Sequence, residues 1–168
     1  MTLQQFEQLW NDDRKRQGKH AEKFSLTKRK VTRKQVTHYK MNDNGIPVEC
    51  GKTPAISKVV EDTNGKTYLF KCMWSLFLGS EMKRISSEGN YRHGIGFIKS
   101  PNKGIADLMG GYKGITYYIE VKQNKEKLLP SQIKFKAWVE SFGGQYHIAR
   151  TFDEMYALIQ SISTPLNN

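Results

Sequence analysis

Cysteine is scarce in this chain: 168 residues carry only Cys50 and Cys72, with no CxxC pair and no histidine pair beside either. That usage excludes a disulfide framework and a structural zinc site, and it predicts two buried free thiols. No apolar run is long enough to span a bilayer and no leader-like segment opens the chain, so no membrane role and a cytoplasmic location are expected. Repeats and low-complexity blocks are absent. The histidines, His20, His38, His93 and His147, are scattered, which argues against a histidine-based metal site, and only His93 falls close before the motif described below. Acidic residues are also few, 16 against 27 lysines and arginines, for a net charge of +11.

The missing acids have a location. Between Arg14 and Lys40 stand 11 lysines and arginines with one acid, Glu22, while the rest of the chain is close to neutral. Such a segment fits a polyanion, most simply DNA phosphates, through salt-dependent contacts from Arg14, Lys15, Arg16, Lys28, Arg29, Lys30, Arg33 and Lys34. The bland alternative is a solvated basic arm. Ahead of it, Leu3, Phe6, Leu9 and Trp10 recur at helical spacing behind Thr2, a suitable N-cap. From Met41 to Lys66, Asn42-Asp43-Asn44-Gly45, Pro47, Gly51, Pro54 and Asn64-Gly65 mark turns between short strands. Residues 1–66 therefore read as a basic extension with a turn-rich elaboration, and 67–168 as the main domain, long enough to bury one core.

What the main domain has in plenty is one well-placed set of polar residues. Ile105 to Met109 and Ile115 to Val121 are short apolar runs separated by Gly110, Gly111, Tyr112, Lys113 and Gly114, which predicts a β-hairpin. With Gly110 paired to Ile115, Asp107 falls opposite Tyr118, and strand alternation puts Asp107, Glu120 and Lys122 on one face, lining a cleft. The other face, Ile115, Tyr117, Ile119 and Val121, packs. A slip of one residue would separate the two carboxylates. Mg²⁺ takes hard oxygen ligands and is commonly held by one or two carboxylates plus substrate phosphate oxygens. Asp107 and Glu120 supply the carboxylates, the Val121 carbonyl is a further donor, and Lys122 can orient a water or neutralise developing charge. Solvated strand charges are the plain alternative. Glu and Lys are poor strand formers, however, and YYIEVK sets both inside an apolar strand.

Downstream, Leu128-Leu129-Pro130-Ser131 leads into a helix with the stripe Phe135, Trp138, Val139 and Phe142, stopped by Gly143-Gly144. A strand, Gln145 to Arg150, follows. Thr151-Phe152-Asp153-Glu154 then reads as a capping box for a last helix near Phe152 to Ile162. Trp10, Trp74 and Trp138 are expected in the core or an interface. Tyr112 and Lys113, at the hairpin tip, are expected to be exposed.

Taken in order, Gly104-Ile105-Ala106-Asp107, a glycine-bearing turn, Ile119-Glu120-Val121-Lys122, a helix bearing Ser131-Gln132-Ile133-Lys134-Phe135, and a strand ending in Arg150 resemble the PD-(D/E)xK nuclease superfamily. Within it the likeness is greatest to virus-type replication-repair nuclease (VRR-NUC) domains, over about residues 79–162, with some likeness to Holliday-junction resolvases. The resemblance implies an α/β, restriction-endonuclease-like core (α-β-β-β-α-β-α, a mixed central sheet flanked by helices). It also implies a Mg²⁺- or Mn²⁺-dependent DNA endonuclease of replication, recombination, repair or defence, in a bacterial or phage-infected cell. Asp107, Glu120 and Lys122 take the catalytic positions, and Gln132 matches the glutamine of the family's active-site signature. Ala106 departs from the usual proline, a residue that contributes no ligand.

The superfamily also draws a metal-binding glutamate from a preceding helix. Here that helix is expected within Leu69 to Ser87, which offers Glu81 mid-helix or, less favoured, Glu88. A strand through Gly96, Phe97, Ile98 and Lys99 is expected next, with Lys99, Ser100 and Lys103 placed to contact phosphate. Resemblance further implies branched or flapped DNA as substrate and a homodimer as the assembly. The rival expectations are a catalytically silent, nuclease-like module that binds nucleic acid, and a regulatory partner of a larger complex.

Overall fold

In a computed structural model of the chain, the structure describes residues 1–24, 26, 28–32, 36–53, 57–61, 63–85, 90–92, 96–98 and 104–164. Two compact units emerge, one of residues 1–25 with 63–168 and one of residues 26–62. The division therefore differs from the expected boundary after residue 66, because the first helix belongs with the C-terminal part of the chain.

That helix, α1 (Leu3–Arg16), opens with a capping box. Thr2 Oγ1 accepts from the Gln5 amide at 3.2 Å and Gln5 Oε1 accepts from the Thr2 amide at 2.8 Å, so two otherwise orphaned donors are satisfied. Its apolar side carries Phe6, fully buried among the rings of Trp10, Phe24, Phe77 and Phe152.

The smaller unit is built of β1 (Lys28–Thr32), β2 (Val36–Met41), β3 (Pro47–Thr53) and β4 (Ser57–Glu61). β1 pairs antiparallel with β4 and β2 antiparallel with β3, so one ladder nests inside the other along the sequence. The inner hairpin closes on Asn42, whose Oδ1 accepts from the amides of Asn44 and Ile46, with Gly45 at φ +71°. Tyr39, Met41, Ile46 and Val48 are exposed, as is Cys50, which corrects the expectation of a buried thiol there. Cys72 is buried as expected, and burial pushes its thiol up to about 11.

In the larger unit, α2 (Thr63–Leu78) precedes β5 (Met82–Arg84). The helix starts earlier and stops earlier than expected. Asn64-Gly65, a turn signal in isolation, lies in its first turn, and Gly79 at φ +65° ends it. A two-stranded antiparallel ribbon follows, β6 (Asn90–Arg92) with β7 (Gly96–Ile98), so among the described residues the strand expected at Gly96 pairs with β6 and not with the larger sheet. The remaining elements are β8 (Leu108–Tyr112), β9 (Ile115–Val121), α3 (Pro130–Ser141), β10 (Gln145–Ala149) and α4 (Phe152–Ser163).

The four-stranded sheet runs β10-β9-β8-β5, with β10 parallel to β9 and the other pairs antiparallel. A parallel pair needs a crossover, and α3 supplies it. Helices cover both faces. Trp74 of α2 packs on Tyr117, and Phe77 of α2 on Tyr156 of α4, while Phe135 of α3 meets Tyr118 and Tyr146 on the opposite face. β9 is consequently buried on both sides from Tyr117 to Val121. The described residues thus form an α/β structure, with four helices and a mixed sheet among them.

Candidate functional site

The hairpin forms with a tighter turn than expected. Tyr112 pairs with Ile115 across Lys113-Gly114, both in the left-handed region (φ +48° and +79°). A two-residue turn of this hand matches the twist of the flanking strands, which a four-residue loop would not enforce. The register moves by two, so faces are kept. Met109 opposes Tyr118 and Leu108 opposes Ile119, and one further step brings Asp107 level with Glu120 in place of Tyr118.

Asp107 sits just before β8, half-buried and held by both its backbone and its carboxylate. Its carbonyl accepts from the Ile85 amide at 2.8 Å, extending the β5–β8 ladder, and its Oδ2 accepts from the Val121 amide at 2.8 Å. The loop before it passes directly beneath the start of α3. Gly104 is at φ +93°, and a Cβ there would lie 2.7 Å from the Ser131 Cβ, so only glycine fits.

Glu120, Lys122 and Gln132 form one buried cluster, only 4%, 7% and 8% exposed. Glu120 and Lys122, expected to line a cleft, are instead buried, since α3 lies over them. Lys122 Nζ donates to Gln132 Oε1 at 2.9 Å and lies 3.2 Å from Glu120 Oε1. Gln132 Nε2 donates to the same Glu120 oxygen, and the Tyr146 hydroxyl donates to Glu120 Oε2 at 3.4 Å. Gln132 Oε1 also accepts from the Leu129 amide at 2.9 Å. Leu129 has no polar side chain, so this bond is the backward half of a capping box and ties the first turn of α3 to the cluster.

Burial raises the Glu120 carboxyl above its ordinary value, and the negative charge of Asp107 adds to the rise. Lys122 and the Tyr146 hydrogen bond oppose it. The Tyr146 hydroxyl is itself held up by burial and then by the charge of Glu120. The site thus pairs one half-buried carboxylate, fixed by a backbone amide, with one fully buried carboxylate surrounded by donors. Among the described residues no three His, Cys, Asp or Glu side chains converge to hold a metal. Two carboxylates nevertheless fit Mg²⁺, which keeps waters and takes substrate oxygens, better than they fit a metal needing an all-protein cage.

The N-terminal end of α2 borders this edge of the sheet. Thr63 Oγ1 accepts from Gln123 Nε2 at 2.8 Å, Asn64 Oδ1 from Arg84 at 2.7 Å, and the buried Lys66 Nζ donates to the Arg150 carbonyl at 2.7 Å. The helix carries no acidic residue at all. Glu81, expected mid-helix, is exposed directly before β5, after the bend at Gly79-Ser80 and at the Gly111 end of the ladder. Four strand positions, about 13 Å, separate it from Ile85, the residue bonded to Asp107. The structure therefore does not bring Glu81 to Asp107 and Glu120. Glu88, His93, Lys99, Ser100 and Lys103 lie outside the described residues.

The basic residues divide between the units. Arg14, Lys15 and Arg16 end α1, where they complement its C-terminal dipole. Arg14 is already engaged, donating to the His20 carbonyl at 2.7 Å, pairing with Glu22 at 3.3 Å and lying over the Trp10 ring. Lys28, Arg29 and Lys30 belong to β1 of the smaller unit, and Arg33 and Lys34 lie outside the described residues.

Tyr146 and Lys66 are the two site neighbours that motif spacing did not single out. Tyr146 is an aromatic in a short strand, which is a weak signal, whereas Lys66 stands among Asn64, Gly65 and Thr67 ahead of the apolar run of α2 and offers none. Trp138 and Phe142 depart from the expected core stripe. Phe135 and Val139 face the sheet in one i, i+4 row, which turns Trp138 and Phe142 outward, 55% and 51% exposed. No known protein-family model matches the chain, and comparison with curated proteins finds no match. In the described residues no helix is long and apolar enough to cross a membrane.

Proposed function

We propose that the chain is a metal-dependent DNA endonuclease of the PD-(D/E)xK superfamily, of the VRR-NUC type. The observation that carries the reading is the convergence of Glu120, Lys122 and Gln132 in one hydrogen-bonded cluster, with Asp107 fixed to the Val121 amide beside it. With the β6–β7 ribbon set aside as an insertion, the order α2-β5-β8-β9-α3-β10-α4 around a mixed sheet supports a restriction-endonuclease-like core.

In this reading Asp107 and Glu120 hold Mg²⁺ or Mn²⁺. The chemistry such a cation would supply there is acidification of water and compensation of charge on the phosphate oxygens. Lys122 orients the attacking water and counters the charge building on the phosphoryl group. Gln132 fixes Lys122 and Glu120 relative to each other, and Tyr146 restrains the second Glu120 oxygen. Asp107 forms the open side, where a phosphodiester enters. Branched or flapped DNA, a role in replication, recombination, repair or defence, and a homodimer remain within the same proposal.

The silent binding module is the second reading, and a specific observation favours it: both Glu120 oxygens are already occupied by internal donors. One experiment decides between them. Wild type and Glu120→Gln are incubated with single-stranded, duplex, flapped and four-way DNA in Mg²⁺, Mn²⁺ or EDTA. Metal-dependent cleavage abolished by the substitution is expected. Binding without cleavage by wild type would support the module, and cleavage surviving in the variant would remove Glu120 from the site.

A further inference from the structure

The outer face of α3 carries a row that the site does not use. Lys134, Trp138 and Phe142 follow one another at i, i+4 spacing, and Trp138 and Phe142 meet edge to face at 4.8 Å between ring centroids. Both rings are more than half exposed, unusual for two adjoining large aromatics on a folded surface. Lys125 and Lys127, in the loop leading to the helix, are exposed as well. We propose that this row binds unpaired nucleotides of a single-stranded DNA segment flanking the site, the rings stacking on bases and the lysines following the phosphates.

Three observations select this occupant. Aromatic rings interleaved with lysines are the makeup of single-strand platforms, where each base stacked contributes independently of sequence. The interior of a protein–protein interface is instead depleted in lysine. Finally, the helix that presents the row is the one that delivers Gln132 to the cluster.

The separation is of the right size. Helical rise puts Trp138 about 9 Å and Phe142 about 15 Å along the axis from Gln132, and the row lies around the far side of a helix about 10 Å across. The rings are therefore roughly 14 to 18 Å from Gln132, a span that a few nucleotides of unpaired strand cover. Bases within a duplex are already stacked on one another and offer the rings nothing. The row therefore favours DNA with an unpaired flank. This rests on the nuclease reading for its meaning, but not for its measurement.

Tryptophan emission reads the row through Trp138, which is exposed, since Trp74 is fully buried and the half-buried Trp10 contributes a background that Trp138→Ala leaves in place. In EDTA, oligodeoxythymidylate is expected to quench wild-type emission while a duplex of the same length does not. Trp138→Ala is expected to lose the quench and to weaken binding about tenfold, the scale of one stacked base. Phe142→Ala, which keeps the reporter, is expected to weaken binding similarly. With Mg²⁺, both variants should lose cleavage of flapped DNA more than of duplex. Unchanged emission, or Trp138→Ala binding as tightly as wild type, would overturn the inference. So would a dimer in light scattering that Trp138→Ala converts to monomer, which would assign the row to a second copy. Quenching by a chain that cuts no DNA would leave the platform standing and remove the nuclease, and cleavage without quenching would do the reverse.

Discussion

Gln132 and Glu120 join α3 to β9 by a hydrogen bond between buried side chains, the amide nitrogen of one donating to a carboxylate oxygen of the other. The same amide's oxygen accepts from Lys122 at 2.9 Å. A neutral side chain thus bridges two opposite charges, contacting both without adding to either.

Gln132→Leu should therefore cost more than an ordinary buried substitution. Hydrogen bonds to charged groups contribute about 1.5 to 3 kcal/mol each, and the variant leaves two charged partners short of one. A loss of about 2 to 4 kcal/mol is expected from the denaturant midpoint. At a temperature where the variant is still folded, cleavage should fall about 10- to 100-fold, the scale seen when groups supporting a metal ligand are removed. Wild-type cleavage in this variant would separate Gln132 from the chemistry.

Stability should respond to pH through Glu120. Its carboxyl is raised in the folded chain from an ordinary value of 4.5, burial first and Asp107 second, so the folded state holds the proton more tightly than the unfolded state. That contribution is fully present below 4.5 and is lost as pH climbs through the raised value. Glu120→Gln removes the titration. The unfolding temperature of the variant should gain on wild type as pH rises above the ordinary carboxylate range, and Mg²⁺ should narrow the difference by favouring the ionised carboxylate. Parallel pH curves for the two proteins would contradict this.

Gly104→Ala tests the contact beneath α3. The added Cβ would come within 2.8 Å of the Ser131 backbone, at a residue whose φ of +93° side chains avoid. Strain of this kind costs about 1 to 3 kcal/mol before any clash is counted. Since Ser131 adjoins Gln132, the displaced helix start should lower cleavage even where thermal scans show the variant still folded. A variant as active as wild type would mean that the α3 start adjusts without disturbing the cluster.

Phe6→Ala tests whether the first helix is an appendage or part of the core. Truncation of a fully buried phenylalanine costs about 3 to 5 kcal/mol, whereas truncating the exposed Leu9 should stay within about 0.5 kcal/mol. Removing the first 25 residues should accordingly unfold the larger unit, so losing DNA binding on such a deletion would not identify a DNA-binding arm. Equal midpoints for Phe6→Ala and Leu9→Ala would return α1 to the status of an extension.

The local parts of this fold were legible in the sequence because their signals are local. Thr2 and Thr151 cap their helices, and the alternation of ITYYIEV sets its faces even though the turn shifted the register by two. Thr151 Oγ1 accepts from the Glu154 amide, but the Glu154 carboxylate reaches back to the Arg150 amide, one residue earlier than the motif predicts. Other features depend on distant partners. Met82–Arg84 is too short to show a period and becomes a strand only by pairing with Leu108 to Gly110. The end of α2 turns on Gly79, one glycine amid residues that suit a helix on either side. Asp107, Glu120, Lys122 and Gln132 were visible as types at spacings. Their burial beneath α3 was not, because it follows from which face the crossover helix covers.

The capping bond at the start of α3 has a dynamic consequence. One side-chain oxygen serves the Leu129 amide and the Lys122 ammonium together, so fraying of that helix end and loosening of the lysine are a single event. Helix ends open and close far faster than folded domains do, so the cluster inherits a local clock that runs independently of global unfolding.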